Sequence, residues 1–363
     1  MNDKVKYFLG ANSHRGFVSY FEQLQSHKSD DLQLLILKGG PGSGKSSLMK
    51  RVSGYARGLG NDLEYIPCAS DPESLDAFVD KTRGFAMMDG TAPHVTDPFF
   101  PGARQHIMYT GDGWDCAKLS ENAAEIQSVS ALISDCHKGA GAYISAAAAL
   151  LRENMAVSER YISRGEIFSF ASELISAISE NGVSGSGEEH KRLLSAVSVG
   201  ETVFFDDTLR ILADRIYAVD DRWGAAAAYL MQLLCEGAKG SGIDIITCRC
   251  SVLPERIEHI IFPTEGFAIT TANAFHSAHR DATAIINGMY SDIPDESALE
   301  RRLGDASRMI DRACGAVAEA KSLHDELEKY YIDAMDFSEN EKKYNEIIDR
   351  FFGACVPTCK IYR

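Results

Sequence analysis

The chain has 363 residues, of which 45% are hydrophobic and 25% charged, a composition that is typical of globular proteins and excludes a disordered chain. Acidic residues outnumber basic ones by 52 to 37, and the net charge of −15 argues against nucleic acid as a partner. The apolar runs are too short for a membrane helix, Met1–Gly10 lacks a signal-peptide core, and the nine cysteines are scattered, so we expect a cytoplasmic protein with reduced thiols and no membrane contact.

The first half of the chain alternates predicted strands with predicted helices. Leu32–Lys38 is a continuous apolar run of strand length, and Asp62–Cys68 and Gly84–Asp89 are predicted to be two further strands. Helical apolar spacing predicts helices over Ser46–Gly58 and Glu73–Val79. Because strands that alternate with helices are typical of βαβ units, we predict a parallel sheet.

Each half of the chain ends in a long predicted helical segment, at about 117–181 and about 295–353. Apolar residues recur at helical spacing in both segments: Leu119, Ile126, Val129, Ile133 and Cys136 in the first, and Leu299, Leu303, Ile310, Cys314, Val317 and Leu327 in the second. Since amphipathic helices usually pack on their own core, we expect each segment to cover the sheet of its own half. The alternative is a lid or an arm that binds a partner protein.

The second half of the chain repeats the outline of the first. Strands are predicted near Arg215–Val219, Ile243–Cys248 and Gly266–Thr271. The segment Gly84–His94 matches Gly266–His276 at an offset of 182 residues, and weaker matches occur in the same order along both halves. An internal duplication is therefore expected.

A phosphate-binding loop is predicted between the first strand and the first helix. Residues 39–46, Gly-Gly-Pro-Gly-Ser-Gly-Lys-Ser, fit the pattern G-x-x-x-x-G-K-[ST], whose backbone N–H groups converge on phosphate oxygens at a helix N-terminus. Lys45 is expected to reach the β- and γ-phosphates, and Ser46 to ligate Mg²⁺. The predicted nucleotide-binding residues are Gly39, Gly40, Pro41, Gly42, Ser43, Gly44, Lys45, Ser46 and Ser47. ATP is favoured over GTP because no guanine-reading Asn/Thr-Lys-x-Asp element is visible.

This loop defines the predicted fold class and its division into domains. We predict an α/β protein of two tandem P-loop NTPase-like parallel-sheet units, each with an appended helical segment. Residues 1–184 would form the active unit and residues 185–363 a degenerate repeat, and the Gly/Ser-rich stretch Asn181–Gly187 would link them.

Acidic residues follow two of the predicted strands. Asp89 ends the apolar run Phe85–Met88 and is the expected Mg²⁺-side carboxylate, although Gly90 follows it where many motor ATPases carry a Glu. Asp71 and Asp76 follow the second strand and could orient water, hold metal-bound water or accept a proton. The alternative is that they cap a helix starting near Pro72. Lys45, Asp89 and Asp71 are the predicted catalytic residues.

The second half lacks the residues predicted to bind phosphate and Mg²⁺. At the offset of 182, Lys45 falls on Ala227, Ser46 on Ala228 and Asp89 on Thr271, so one ATP per chain is expected.

We predict structural roles for the histidine and the cysteine pairs that lie outside the loop. His94 persists as His276 in the degenerate copy, which favours a structural role for this histidine. The pairs Cys248/Cys250 and Cys355/Cys359 lack the further ligands that a metal site needs, so buried free thiols are expected.

The sequence resembles a family of uncharacterised bacterial tandem P-loop ATPases, sometimes labelled nucleotide-kinase-like. The segments that carry the resemblance are Leu37–Met49, Cys68–Asp76 and Met88–Val95, extended by Pro101-Gly102 and Gly111–Trp114. The resemblance implies ATP binding. Members of that family commonly carry a phosphate loop in both halves, from which this chain departs.

Three functions are compatible with these features. The first is an Mg²⁺-dependent ATPase or nucleotide-driven switch, in which the nucleotide state moves the helical segments against the sheet. The second is a kinase for a small molecule or nucleotide, with Asp71 or Asp76 near the acceptor hydroxyl. The third is a non-catalytic ATP-binding scaffold. ATP is the predicted ligand in each, acting with an unidentified protein partner or small-molecule substrate.

Overall fold

The computed structural model of the protein describes residues 4–25, 32–179, 186–276, 282–287 and 289–353. The first half contains β1 (Val5–Lys6), β2 (Gly10–Ser13), β3 (Gly16–Ser19), β4 (Gln33–Lys38), α1 (Lys45–Gly58), β5 (Leu63–Pro67), β6 (Leu75–Asp80), β7 (Phe85–Asp89), β8 (Gln105–Tyr109), α2 (Cys116–Glu121), α3 (Ala123–Ser158) and α4 (Arg164–Ile178). The second half contains β9 (Glu189–Arg192), β10 (Ser195–Val197), β11 (Thr202–Phe204), α5 (Asp206–Leu212), β12 (Arg215–Asp220), α6 (Ala225–Gly240), β13 (Ile245–Arg249), β14 (Ile257–Phe262), β15 (Phe267–Ala272), β16 (Ala284–Ile286), α7 (Ser297–Asp333) and α8 (Ser338–Ile347). Of the predicted linker, only Ser186 and Gly187 lie among these residues.

The two halves form sheets of the same design. The first sheet has the strand order β1-β5-β6-β7-β4-β8, and the second has the order β9-β13-β14-β15-β12-β16. In both sheets the third strand runs antiparallel to its two neighbours, and the other pairs are parallel. This shared topology is the structural counterpart of the sequence repeat.

The expectation of purely parallel sheets is wrong, because Glu73–Val79 does not form a helix. Its residues Leu75–Val79 belong to β6, which lies antiparallel between β5 and β7. The short apolar run fits a buried strand as well as a helix, and periodicity alone does not separate the two. The connections on either side of β6 are also too short for the crossover that parallel neighbours need, so hairpin-like antiparallel pairing results.

Strand β4 is apolar between its two polar end residues because both faces of its sheet are covered. Leu34 and Ile36 belong to an apolar cluster shared with the second sheet, including Ile216. Leu35 and Leu37 face the opposite side, where they pack with α1. The two sheets therefore bury their inner faces against a common core, and each has helices on its outer face.

The helical segments cross over between the halves, so the expectation that each covers its own sheet is wrong. Phe351 and Phe352, which follow α8, pack on Phe85 of the first sheet with ring centroids 4.6 and 5.6 Å away. Ile167 and Ala171 of α4 are buried in the core around α6 of the second sheet. Part of the outer face of each sheet is therefore covered by residues from the other half of the chain.

The long helices α3 and α7 pack against each other along much of their length. The buried stripe of α3 is made largely of alanines around Ile144, and α7 meets it with small and aliphatic side chains such as Ala306 and Ile310. Near one end, Asn154 Nδ2 donates to the Leu299 carbonyl oxygen over 2.9 Å. None of the helices in the described ranges is long and apolar enough to cross a bilayer.

Candidate functional site

The predicted phosphate loop connects β4 to α1, as its pattern requires. Helix α1 begins at Lys45, directly after Gly44, whose φ of 83° lies in the left-handed region. Gly42 also has a positive φ of 64°. Glycine adopts such angles without the steric cost that a Cβ brings, so these two positions fix the shape of the loop.

Lys45 is folded back over the loop and lies beside Asp89. Its Nζ donates to the carbonyl oxygens of Gly39 and Gly40 over 2.8 and 2.9 Å. The same Nζ lies 3.5 Å from Asp89 Oδ2, and both side chains are largely shielded from solvent. Strands β4 and β7 are parallel neighbours with Leu37 opposite Asp89, so the topology itself brings the loop and the carboxylate together.

The serines of the loop occupy three different environments. Ser43 is buried and its hydroxyl donates to the Gly40 carbonyl oxygen over 2.9 Å, so it shapes the loop. Ser46 Oγ accepts the Leu75 N–H over 2.9 Å, which places the predicted Mg²⁺ ligand beside the start of β6. Ser47 is exposed on α1.

Asp89 is held in a fixed orientation at the end of β7. Its Oδ1 accepts hydrogen bonds from the N–H and the hydroxyl of Thr91, over 2.8 and 2.6 Å. This leaves Oδ2 directed toward Lys45. The carboxylate and the hydroxyl predicted to share Mg²⁺, Asp89 and Ser46, therefore both lie at the carboxyl edge of the first sheet.

Asp71 and Asp76 do not cap a helix, because none begins near Pro72. Asp71 Oδ2 accepts the Ser74 hydroxyl over 2.9 Å in the turn before β6, and it lies 3.6 Å from Lys321 Nζ of α7. Asp76 is buried at the beginning of β6. Both carboxylates nevertheless lie at the same edge of the sheet as the loop, since β5 ends and β6 begins there.

Asp76 pairs with His94 inside the protein. Asp76 Oδ2 lies 3.4 Å from His94 Nε2, and both side chains are nearly inaccessible to solvent. Burial would lower the pKa of His94, but the hydrogen bond and the charge of Asp76 raise it above its ordinary value, with Asp89 contributing. This pair joins the beginning of β6 to the segment after β7, close to Asp89, the predicted Mg²⁺-side carboxylate.

Helix α7 of the second half contacts the phosphate loop, which the sequence patterns did not indicate. Glu328 Oε1 accepts the Gly42 N–H over 3.2 Å, so a carboxylate engages one of the groups expected to bind phosphate. The hydrogen bond from His324, together with the contact to Gly42, lowers the pKa of Glu328, so its carboxylate is charged at neutral pH. A Cβ at Gly42 would meet Tyr331 and Ile332 at 3.0–3.1 Å, so α7 lies close against the loop.

Helix α8 also contacts the phosphate loop and the helix that follows it, α1. Asn340 Nδ2 donates to the Ser43 carbonyl oxygen over 3.0 Å. Arg51 on α1 makes a two-point ion pair with Glu341. We call residues 321–352, which run from the end of α7 through α8, the C-terminal arm. Its contacts make the phosphate loop a meeting point of the two halves.

The corresponding loop of the second half is two residues shorter than the offset of 182 implies. Gly224, with φ 89°, precedes α6 as Gly44 precedes α1. The structural counterparts of Lys45 and Ser46 are therefore Ala225 and Ala226, which corrects the predicted Ala227 and Ala228. Neither counterpart carries a charge or a metal ligand.

A carboxylate built into the chain fills this second loop. Asp221 is buried, and its Oδ1 accepts the N–H groups of Trp223 and Gly224 over 3.0 and 2.7 Å. Its Oδ2 accepts the Ala227 N–H over 2.7 Å, and Tyr290 OH donates to Oδ1 over 2.7 Å. The N–H groups at the start of α6 thus already bind an internal anion. The sequence shows the acid, but only as one of two adjacent aspartates.

Among the described residues, the cysteines agree with the prediction of buried free thiols. Cys248 and Cys250 are buried free thiols, and burial raises the pKa of each to about 12. They are therefore protonated at neutral pH and poor metal ligands. Cys355 and Cys359 lie outside the described residues.

Comparison of the chain with models of protein families, with curated proteins and with solved structures finds no match.

Proposed function

We propose that the protein is an Mg²⁺-dependent, ATP-binding P-loop NTPase that uses its first half only, acting as an ATPase or a nucleotide-driven switch. The observation that carries the proposal is the approach of Lys45 Nζ to within 3.5 Å of Asp89 Oδ2 across a loop shaped by Gly42 and Gly44. A cation, a fixed carboxylate and backbone N–H groups at a helix N-terminus are what a magnesium-bound triphosphate requires.

The proposal assigns a role to each group at the loop. The N–H groups of residues 42–47 would face the phosphates, Lys45 would counter the charge on the β- and γ-phosphates, and Ser46 with Asp89 would hold Mg²⁺. Asp71 is the candidate for orienting the attacking water, because its carboxylate lies at the same edge of the sheet and has one cationic neighbour, Lys321.

The switch is proposed to act through the C-terminal arm. Phosphate and the Glu328 carboxylate would compete for the Gly42 N–H, since two anions at one donor repel each other. Binding of ATP would therefore displace Glu328 and shift α7 relative to the first sheet. Because α7 packs along α3, which also contacts α6 of the second half, this shift would reach the helical layer of the second sheet.

The test of the proposal is phosphate release by the purified protein from Mg²⁺-ATP, alone and with pooled metabolites. Release with ATP alone would support the ATPase. Release that needs metabolites, with label transferred to one of them, would instead identify a kinase. Binding without turnover under any condition would point to a scaffold.

Replacing Asp89 by Asn is expected to lower turnover at least about tenfold while leaving most of the nucleotide affinity. The amide is a weaker Mg²⁺ ligand than the carboxylate and carries no charge, whereas Lys45 and the loop N–H groups still face the phosphates. Turnover measured against Mg²⁺ concentration checks this. Asp62→Asn, at the opposite edge of the sheet, serves as the control and should behave as the unchanged protein.

Replacing Glu328 by Gln is expected to tighten Mg²⁺-ATP binding by about threefold or more, or roughly 0.7 kcal/mol. The substitution removes the negative charge that competes with phosphate at the Gly42 N–H, although partial exposure and salt limit the effect. Calorimetric titration at low salt measures the change. Glu326→Gln, two residues away on the exposed side of α7, should leave the affinity unchanged. Equal affinities in all three proteins would rule out the competition.

A further inference from the structure

Three ionisable side chains converge in the interior of the second half. Glu258 and His259 are consecutive residues of β14, and His276 follows β15. All three are buried, and one donor atom from each lies within 4.8 Å of the other two. Two imidazoles and a carboxylate are a donor set that binds divalent transition metals in proteins.

A β-bulge explains how two consecutive residues meet in one cluster. Cys248 pairs with His259, whereas the next residue, Arg249, pairs with Ile257, so Glu258 is the extra residue on β14. A bulge breaks the alternation of side chains between the two faces of a sheet and redirects the extra one. Glu258 and His259 therefore contribute to the same cluster.

The first half provides an internal comparison for this cluster. Its β6 carries the same bulge at Asp76, and Asp76 pairs with His94 as Glu258 pairs with His276, with closest atoms at 3.4 and 3.5 Å. The position of His259, however, is taken in the first half by Ala77. The third donor is thus a property of the second half alone, the half whose loop has lost its phosphate and magnesium groups.

The imidazole of His259 is incompletely bonded. His259 Nδ1 contacts Thr270 Oγ1 at 2.6 Å, while its Nε2 is buried and has no hydrogen-bond partner among the described residues. A hydrogen bond at one ring nitrogen and an unpartnered lone pair at the other is the arrangement found in metal-binding histidines.

One oxygen of the Glu258 carboxylate is also available to a metal ion. Arg256 contacts Glu258 Oε1, leaving Oε2 directed toward His276. Arg256 thereby offsets the buried negative charge without occupying both oxygens. A cavity of about 40 Å³ adjoins Glu258 and His276 and is bordered by Ser195 and Phe275. This is enough for one or two waters, so it offers a path and a further ligand position.

We propose that Glu258, His259 and His276 form a binding site for one divalent transition-metal ion, with Zn²⁺ the best match to the two nitrogen donors and one oxygen donor. Donors around tetrahedral Zn²⁺ at about 2.0–2.2 Å lie roughly 3.4 Å apart, so modest side-chain rotation closes the cluster on the ion. The cavity supplies the fourth ligand as water. The site is independent of ATP binding and lies on the opposite half of the molecule.

The test is titration of the full chain with Co²⁺ after treatment with a chelator, followed by competition with Zn²⁺. We expect one Co²⁺ per chain with the intense visible absorption of a low-symmetry site, displaced by one equivalent of Zn²⁺. His259→Ala should weaken binding at least tenfold, and Ala77 in the same position of the first half indicates that the fold accommodates alanine there. The control is His94→Ala. His94 is the first-half counterpart of His276, and this variant should keep full Co²⁺ binding.

A second measurement guards against loss of structure in the variants. Zn²⁺ should raise the melting temperature of the unchanged protein and of His94→Ala, but not that of His259→Ala. The proposal is overturned if the unchanged protein binds neither ion, or if His259→Ala binds both as tightly as the unchanged protein does. It is equally overturned if His94→Ala loses as much affinity as His259→Ala.

Discussion

Replacing Lys45 by Ala is expected to weaken ATP binding or turnover by more than tenfold, which corresponds to about 1.4 kcal/mol or above. Lys45 Nζ contacts the carbonyl oxygens of Gly39 and Gly40 in the loop, and it lies 3.5 Å from Asp89 Oδ2. Without it, Asp89 and Glu328 leave the surroundings of the loop negatively charged, so a triphosphate would meet repulsion. Calorimetric titration and phosphate release measure the two effects.

Lys50 provides a matched control for this substitution. It lies on the same helix, α1, and its side chain is exposed to solvent. Lys50→Ala removes the same charge from the chain without touching the loop, so affinity and turnover should stay within about twofold of the unchanged protein. If Lys45→Ala were as active as Lys50→Ala, the nucleotide site would not be at this loop.

Replacing Asp221 by Ala is expected to lower the free energy of unfolding by about 3 kcal/mol. The buried carboxylate accepts N–H groups from Trp223, Gly224 and Ala227 and the hydroxyl of Tyr290. Alanine leaves these donors without their acceptor inside the protein, and each buried donor that loses its partner costs free energy. Urea denaturation followed by circular dichroism measures the loss.

The adjacent Asp220 separates this effect from the loss of one negative charge. Asp220 is the exposed last residue of β12, so Asp220→Ala should change stability by no more than about 0.5 kcal/mol. Equal stabilities of the two variants would contradict the assignment of Asp221 as the internal anion of the second loop.

The strand, loop and helix at residues 33–58 could be predicted because local signals agree there. The apolar run of β4 is followed by two glycines, and the helix predicted over Ser46–Gly58 differs from α1 by one residue at its start. Asp89 could be placed for the same reason, since the carboxyl ends of neighbouring parallel strands meet at one edge.

Other features depend on contacts between residues distant in sequence, which local patterns do not encode. Residues 75–80 are a strand because the sheet pairs them on both sides, and the helical segments cross over to pack on the sheet of the other half. Glu328 reaches Gly42 across 286 residues. Asp221 is the anion that the second loop binds only because it is buried there, which adjacent aspartates in a sequence do not reveal.

The proposed function requires that the chain binds ATP once, through the loop of its first half. Calorimetric titration of nucleotide-free protein with Mg²⁺-ATP measures this number. We expect a stoichiometry near one ATP per chain and the loss of that single binding event in Lys45→Ala. Two binding events per chain, or one that persists in Lys45→Ala and maps to residues 215–276, would contradict it.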